Sequence, residues 1–222
     1  MEFSALFDGT SAGLVVGGTV LGTFLRAGAT DCRHAAAAVA RLAKSRFDAD
    51  FARAELAVQV REIRQDGLIR ARPRHFGDNE FDEATDAMLG TRSVAALLSA
   101  HEEHKDRRVR SNARAVRTFS QASELAPVFG LAGTLVSLSQ LPSEGLAQGA
   151  FASAISMAVL TTLYGLLLAN LLLAPLARVL ERAAEAEERE RQAIVDWLAA
   201  QVTDAIPAGA PHPRLSIVDE AV

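Results

Sequence analysis

The chain is poor in cysteine, tyrosine and tryptophan. One cysteine, Cys32, stands in 222 residues, and tyrosine and tryptophan occur once each. No internal disulfide can form, no cysteine-based metal site can be assembled, and the default state is a reduced thiol. The stretch Gly9-Thr10-Ser11-Ala12-Gly13 lacks the lysine of a phosphate-binding P-loop, so ATP hydrolysis is not expected to supply energy here. Strand-like alternation and hairpin signals are missing. The 5 histidines are scattered. His101 and His104, at i, i+3 beside Glu102 and Glu103, have a spacing that can hold a metal, but an exposed polar helix accounts for them more simply. No metal or cofactor is expected, and no enzymatic activity. A net charge of −4 and a pI near 5.8 argue against a nucleic-acid partner. The local exception, Arg107, Arg108, Arg110, Arg114 and Arg117, reads as a solvated helix face and cytoplasmic anchor.

Charge itself is missing over long stretches. Half of the residues are hydrophobic while 23% are charged, so apolar and charged blocks are kept apart. Three segments read as transmembrane helices: 5–25, 123–141 and 151–176. The first carries Gly13, Gly17, Gly18 and Gly22, costly in a soluble helix but suited to close helix approach in lipid. It lacks a positive start and a small-residue cleavage site before Arg26, so it reads as an uncleaved span. The third exceeds the roughly 20 residues needed to cross a bilayer. The loop 142–149 holds Glu144 as its ionisable residue and has no Lys or Arg. Arg26, Arg33 and Arg41 follow the first span, the arginine run precedes the second, and Arg178 and Arg182 follow the third. This asymmetry predicts an outer N-terminus, a cytoplasmic middle and a cytoplasmic C-terminus.

The charged block 31–120 is predicted to be a helical cytoplasmic domain. Val39, Leu42, Phe47, Phe51 and Val58 mark an amphipathic helix, Arg72-Pro73-Arg74-His75-Phe76-Gly77 breaks it, and helices follow over 81–89 and 92–119. Residues 177–204 form a further helix with Ile194, Trp197, Leu198 and Val202 on one stripe, and the proline-bearing tail 205–222 is predicted to be disordered. The expected fold is an all-α membrane protein with three transmembrane helices and a helical cytoplasmic domain.

Pro127 and Pro175 each remove a backbone donor and free a carbonyl one turn earlier, at Ser123 and Leu171. Each lies near the cytoplasmic end of its span, which suits a hinge or gate. Pro127, Gly130, Thr134 and Ser137 share one face of the second span; Ala158, Thr162, Gly165 and Ala169 share a matching face of the third. Such stripes arise from small-residue packing with hydroxyls bonded to the preceding turn. They also suit a narrow polar seam that admits water or faces a partner helix. The spans are read as having no carboxylate at membrane depth, so a titrating group would have to come from another chain.

Glu124-Leu125-Ala126-Pro127-Val128-Phe129-Gly130-Leu131-Ala132-Gly133-Thr134 resembles the Ala-Pro-x-x-Gly-x-x-Gly-Thr signature of the MotA/TolQ/ExbB proton-channel family. Leu160-Thr161-Thr162-Leu163-Tyr164-Gly165-Leu166-Leu167-Leu168-Ala169-Asn170, with Pro175, resembles the end of its last membrane helix, in the MotA branch. The resemblance implies a homopentamer in the bacterial inner membrane around a single-span partner of the MotB/ExbD/TolR type, which supplies the ion-carrying aspartate. It implies that Thr134 and Thr162 line the ion pathway, that Pro127 and Pro175 couple protonation to motion, and that Gly130, Gly133 and Gly165 serve helix packing. A MotA-like stator converts ion motive force into mechanical work on a rotor; a TolQ/ExbB-like complex energises a periplasm-spanning protein; a non-conducting scaffold is the alternative of another class. Two departures bear on the choice. MotA has four spans where this chain has three. Arg64-Gln65-Asp66-Gly67-Leu68 resembles the opening of MotA's cytoplasmic charge cluster, but Arg70-Ala71-Arg72 stands where its acid belongs. Proton and sodium both remain open as the ion.

Overall fold

The computed structural model describes residues 8–44, 47–67, 70–140 and 148–205, and among them every regular element is helical. Most of the loop drawn at 142–149, with Glu144, and the tail from 206 lie outside the described residues. Six α-helices follow in order: α1 Gly9–Ala43, α2 Ala49–Asp66, α3 Asn79–Thr91, α4 Val94–Ser139, α5 Gln148–Leu167 and α6 Ala174–Ala205. A π-helical turn, Leu168–Leu173, joins the last two. Three helical stretches are long and apolar enough to cross a membrane: Gly9–Ala43, Val94–Ser139 and Phe151–Asp204. The chain divides into two compact units, residues 1–47 with 106–188 and residues 48–105 with 189–222.

In the first unit, Asp8 caps α1. Its carboxylate accepts hydrogen bonds from the backbone N–H groups of Thr10 and Ser11 and from both hydroxyls, which satisfies donors that a helix start leaves open. The apolar leg of α1 buries Ser11, Val15, Thr19 and Thr23 at four-residue intervals. Gly18 and Gly22 form a slot for the Phe129 ring of α4: a Cβ on Gly22 would stand 2.9 Å from that ring, and one on Gly18 closer still. Beyond Arg26 the helix does not stop where the charge begins. It breaks at Gly28 (φ 82°, ψ 164°), a conformation open in practice only to glycine, and resumes to Ala43. The second leg packs Ala35 and Ala38 against Ala115 of α4 and Leu180 of α6, with Val39, Leu42 and Phe119 around them. Arg108 closes this end with a bidentate pair to Glu188, at 3.0 and 2.9 Å.

The second unit is built from α2, α3, the start of α4 and the end of α6, with Leu56, Ile63, Phe81, Met88, Leu97 and Leu198 in its core. The amphipathic helix marked by Val39, Leu42, Phe47, Phe51 and Val58 is in fact two helices. Lys44 turns extended, and Asp48 starts α2 by accepting from Phe51 N–H at 2.9 Å. Asp78 likewise caps α3, and the Arg191 guanidinium holds that cap, 2.9 Å from Asp78 and 5.5 Å over the Phe81 ring. His101 and His104 do not lie on an exposed polar face. Both are buried: His104 Nε2 is 3.0 Å from Glu83, and His101 Nε2 is 3.3 Å from Gln192. Leu97, His101, His104 and Arg108 continue one stripe of α4, with amphipathic side chains where leucines would serve, while Glu102 and Glu103 face outward. No cluster of His, Cys, Asp and Glu suited to a metal exists among the described residues.

Candidate functional site

The approach of α4 to α5 sets the geometry of the site. A Cβ added to Gly165 would stand 2.7 Å from the Ala126 carbonyl oxygen and 3.1 Å from Gly130 Cα. One added to Gly130 would stand 2.9 Å from the Thr161 carbonyl oxygen. The helices therefore touch backbone to backbone, with no side chain between them. One turn further along, Gly133 receives the side chain of Thr161, whose Cβ would be 2.7 Å from a Cβ there. Thr161 is wholly buried and donates to the Ala158 carbonyl at 2.9 Å. Ser137 is also buried and donates to Gly133 at 2.8 Å. Thr161 was not among the sequence candidates. The signal that points to it is the glycine pair at 130 and 133, which needs a small, branched filler opposite.

The two threonines singled out from sequence lie beside this contact and are brought together. Thr134 and Leu138 of α4, with Ile155, Val159, Thr162 and Leu166 of α5, line one groove of about 510 Å³. Both hydroxyls are half-exposed to it, and each is bonded to its own helix: Thr134 Oγ1 donates to Leu131 O at 2.6 Å, and Thr162 Oγ1 to Ala158 O at 3.2 Å. The two faces read from sequence are thus divided. Gly130, Gly133, Ser137 and Gly165 make the contact, while Thr134, Ala158 and Thr162 border the groove. Neither threonine titrates at physiological pH, and the other side chains that line the groove are apolar.

The prolines differ in their surroundings. Pro127 sits inside the continuous α4, next to the fully buried Ala126. Pro175 is exposed and follows the π-helical turn, in which Ala174 N–H bonds Ala169 O, five residues back. The extra residue in that turn accommodates a ring that cannot donate to Leu171, so the third span runs into α6 without a break. Two carboxylates correct the reading that the spans hold none. They stand within the bounds drawn for the spans, Asp8 in the first and Glu124 in the second, where Glu124 Oε2 lies 3.4 Å from Arg26 Nη1. The Asp8 backbone N–H donates to the Tyr164 hydroxyl of α5 at 3.0 Å. Neither carboxylate borders the threonine groove.

Gly165→Ala tests the helix contact. Its Cβ must displace backbone rather than a flexible side chain, so a loss of about 1–3 kcal/mol is expected. The measurement is thermal unfolding in detergent, with Gly17→Ala as the control, since a Cβ at Gly17 meets nothing within 4 Å. Equal melting temperatures for the two variants would refute the contact.

Residues 74–193 match the MotA/TolQ/ExbB proton channel family. The chain is 31% identical over 118 residues to the uncharacterised protein YtxD of Bacillus subtilis (strain 168), which covers 53% of this chain and 39% of that protein. It is 26% identical over 157 residues to motility protein A of Cereibacter sphaeroides, covering 69% of this chain and 61% of that one. The chain thus spans less than two thirds of the length of these curated relatives. The flagellar MotAB stator complex from Bacillus subtilis has the same fold, with a TM-score of 0.80 at 18% identity over 91% of this chain and 81% of that chain.

Proposed function

The chain belongs to the MotA/TolQ/ExbB proton channel family, and on that premise we propose that it is an inner-membrane ion-channel subunit of a MotA-like stator or energising complex. The observation that carries the reading is the groove in which Thr134 and Thr162, from two spans, face one open path beside a glycine-to-glycine helix contact. Thr134 and Thr162 line the ion pathway. Gly130, Gly133 and Gly165 hold α4 against α5. Pro127 and Pro175 let the helices follow a change of charge in the groove. The chain assembles as a homopentamer around a single-span protein of the MotB type, whose membrane aspartate carries the ion. Its N-terminus is periplasmic, and the second unit and the C-terminus are cytoplasmic. Moving one charge down a membrane potential releases about 2.3 kcal/mol per 100 mV, enough to bias a conformational step.

A second reading within the same family is a TolQ/ExbB-like energiser of the outer envelope. Arg70-Ala71-Arg72 in place of the acid of the MotA charge cluster, and three long apolar helices among the described residues, favour it. The ion-path chemistry is the same in both. Native mass spectrometry of the complex extracted in detergent with its single-span partner tests the assembly. Five copies of this chain with bound partner are expected. A stable monomer, or a species soluble without detergent, overturns the proposal.

A further inference from the structure

A second cavity in the first unit, about 300 Å³, lies away from the threonine groove. Phe24 and Cys32 line it from either side of the Gly28 break, and Leu168 and Leu173 line it from the two ends of the π-helical turn. Two backbone irregularities of this unit, one in α1 and one ahead of α6, therefore border the same crevice. Its polar lining is inert. Thr19, Thr23 and Thr118 each donate their hydroxyl to their own helix, at 2.7, 2.7 and 2.9 Å, leaving no free donor to hold water.

We propose that the Gly28 break and the Leu168–Leu173 turn are paired hinges of one device, which flexes into and out of this crevice as ions pass. The inference rests on the ion-channel reading above. A packed interior resists gradual deformation, because each shifted side chain must find a new partner. Side chains that border a crevice have protein neighbours on fewer sides, which lowers that cost at this place. Gly28 holds a positive φ between the two packed legs of α1, and a Cβ there meets nothing within 4 Å, so the backbone conformation alone favours glycine at this bend. The π-helical turn holds one residue more than an α-turn needs, and that residue can be redistributed as the helix bends.

Cys32, the chain's one cysteine, lines the crevice and is half-buried, so its reactivity reports on the opening without any engineered label site. The full chain and its single-span partner are reconstituted in liposomes. Ion flux and the rate of Cys32 modification by N-ethylmaleimide are followed together, with and without an imposed gradient. The expected result is labelling about threefold faster under flux, returning to the resting rate when the partner's aspartate is changed to asparagine. In Gly28→Ala the gradient-dependent change is expected to vanish; Gly17→Ala, equally open but at ordinary helical φ, is expected to retain it. Flux with an unchanged Cys32 rate in the unmodified chain overturns the hinge proposal and leaves the channel reading standing. Absence of flux overturns both. Because the unmodified chain gives the primary readout, a Gly28→Ala chain that fails to assemble does not spare the proposal.

Discussion

Thr162→Val is expected to lower ion flux about fivefold while assembly stays intact. Valine keeps the shape of threonine and removes only the hydroxyl. One hydroxyl that helps a passing ion in the rate-limiting step contributes on the order of 1 kcal/mol, and about 1.4 kcal/mol is a factor of ten in rate. Thr134→Val, across the groove, is expected to act alike. The neighbouring Thr161→Val sharpens the comparison. Thr161 is buried against Gly133 and does not border the groove, so that variant is expected to conduct normally. The measurement is pH-dye quenching in liposomes with the partner co-reconstituted. Equal flux from Thr162→Val and the unmodified chain would assign Thr162 to packing alone.

The chain without its partner is expected to conduct nothing. The groove offers hydroxyls and apolar side chains, and neither Asp8 nor Glu124, the carboxylates within the drawn bounds of the spans, borders it. The titrating group must enter on another helix, where burial raises a carboxyl pKa and makes protonation at neutral pH accessible. Liposomes carrying this chain alone, this chain with its partner, and the pair with the partner's aspartate changed to asparagine should give no flux, flux and no flux. Flux from the chain alone would demand an ion carrier on this polypeptide and would discard the mechanism.

The small-residue stripes that carry Thr134 and Thr162 were legible because they fall at helical spacing in charge-free sequence, and the family resemblance singled out the two threonines. That they border one groove is seen only in three dimensions. What lay beyond sequence was decided by three-dimensional neighbours. Gly18 and Gly22 look like any small-residue stripe until the Phe129 ring fills the slot between them. Gly28 follows an arginine that seemed to end the first span, so the continued helix and its break were hidden by the change of charge. His101 and His104 sit beside two glutamates, and only α3 and Gln192 reveal that their own face is buried. The π-helical turn was foreshadowed by Pro175, which called for a carbonyl to be accommodated one turn earlier. The form of that accommodation depends on backbone geometry that residue types do not encode.

The direction in which the groove hydroxyls point has a consequence for insulation. Thr134 and Thr162 commit their protons to Leu131 O and Ala158 O, so only oxygen lone pairs look into the groove. The rest of the wall is apolar, with Leu138, Ile155, Ala158, Val159, Leu163 and Leu166, so a bare ion or a chain of waters finds almost nothing to bind there. A membrane crossed by this chain would then hold its voltage between turnovers: leakage would cost more than passage, and the gradient would be spent only when a carrier occupies the groove.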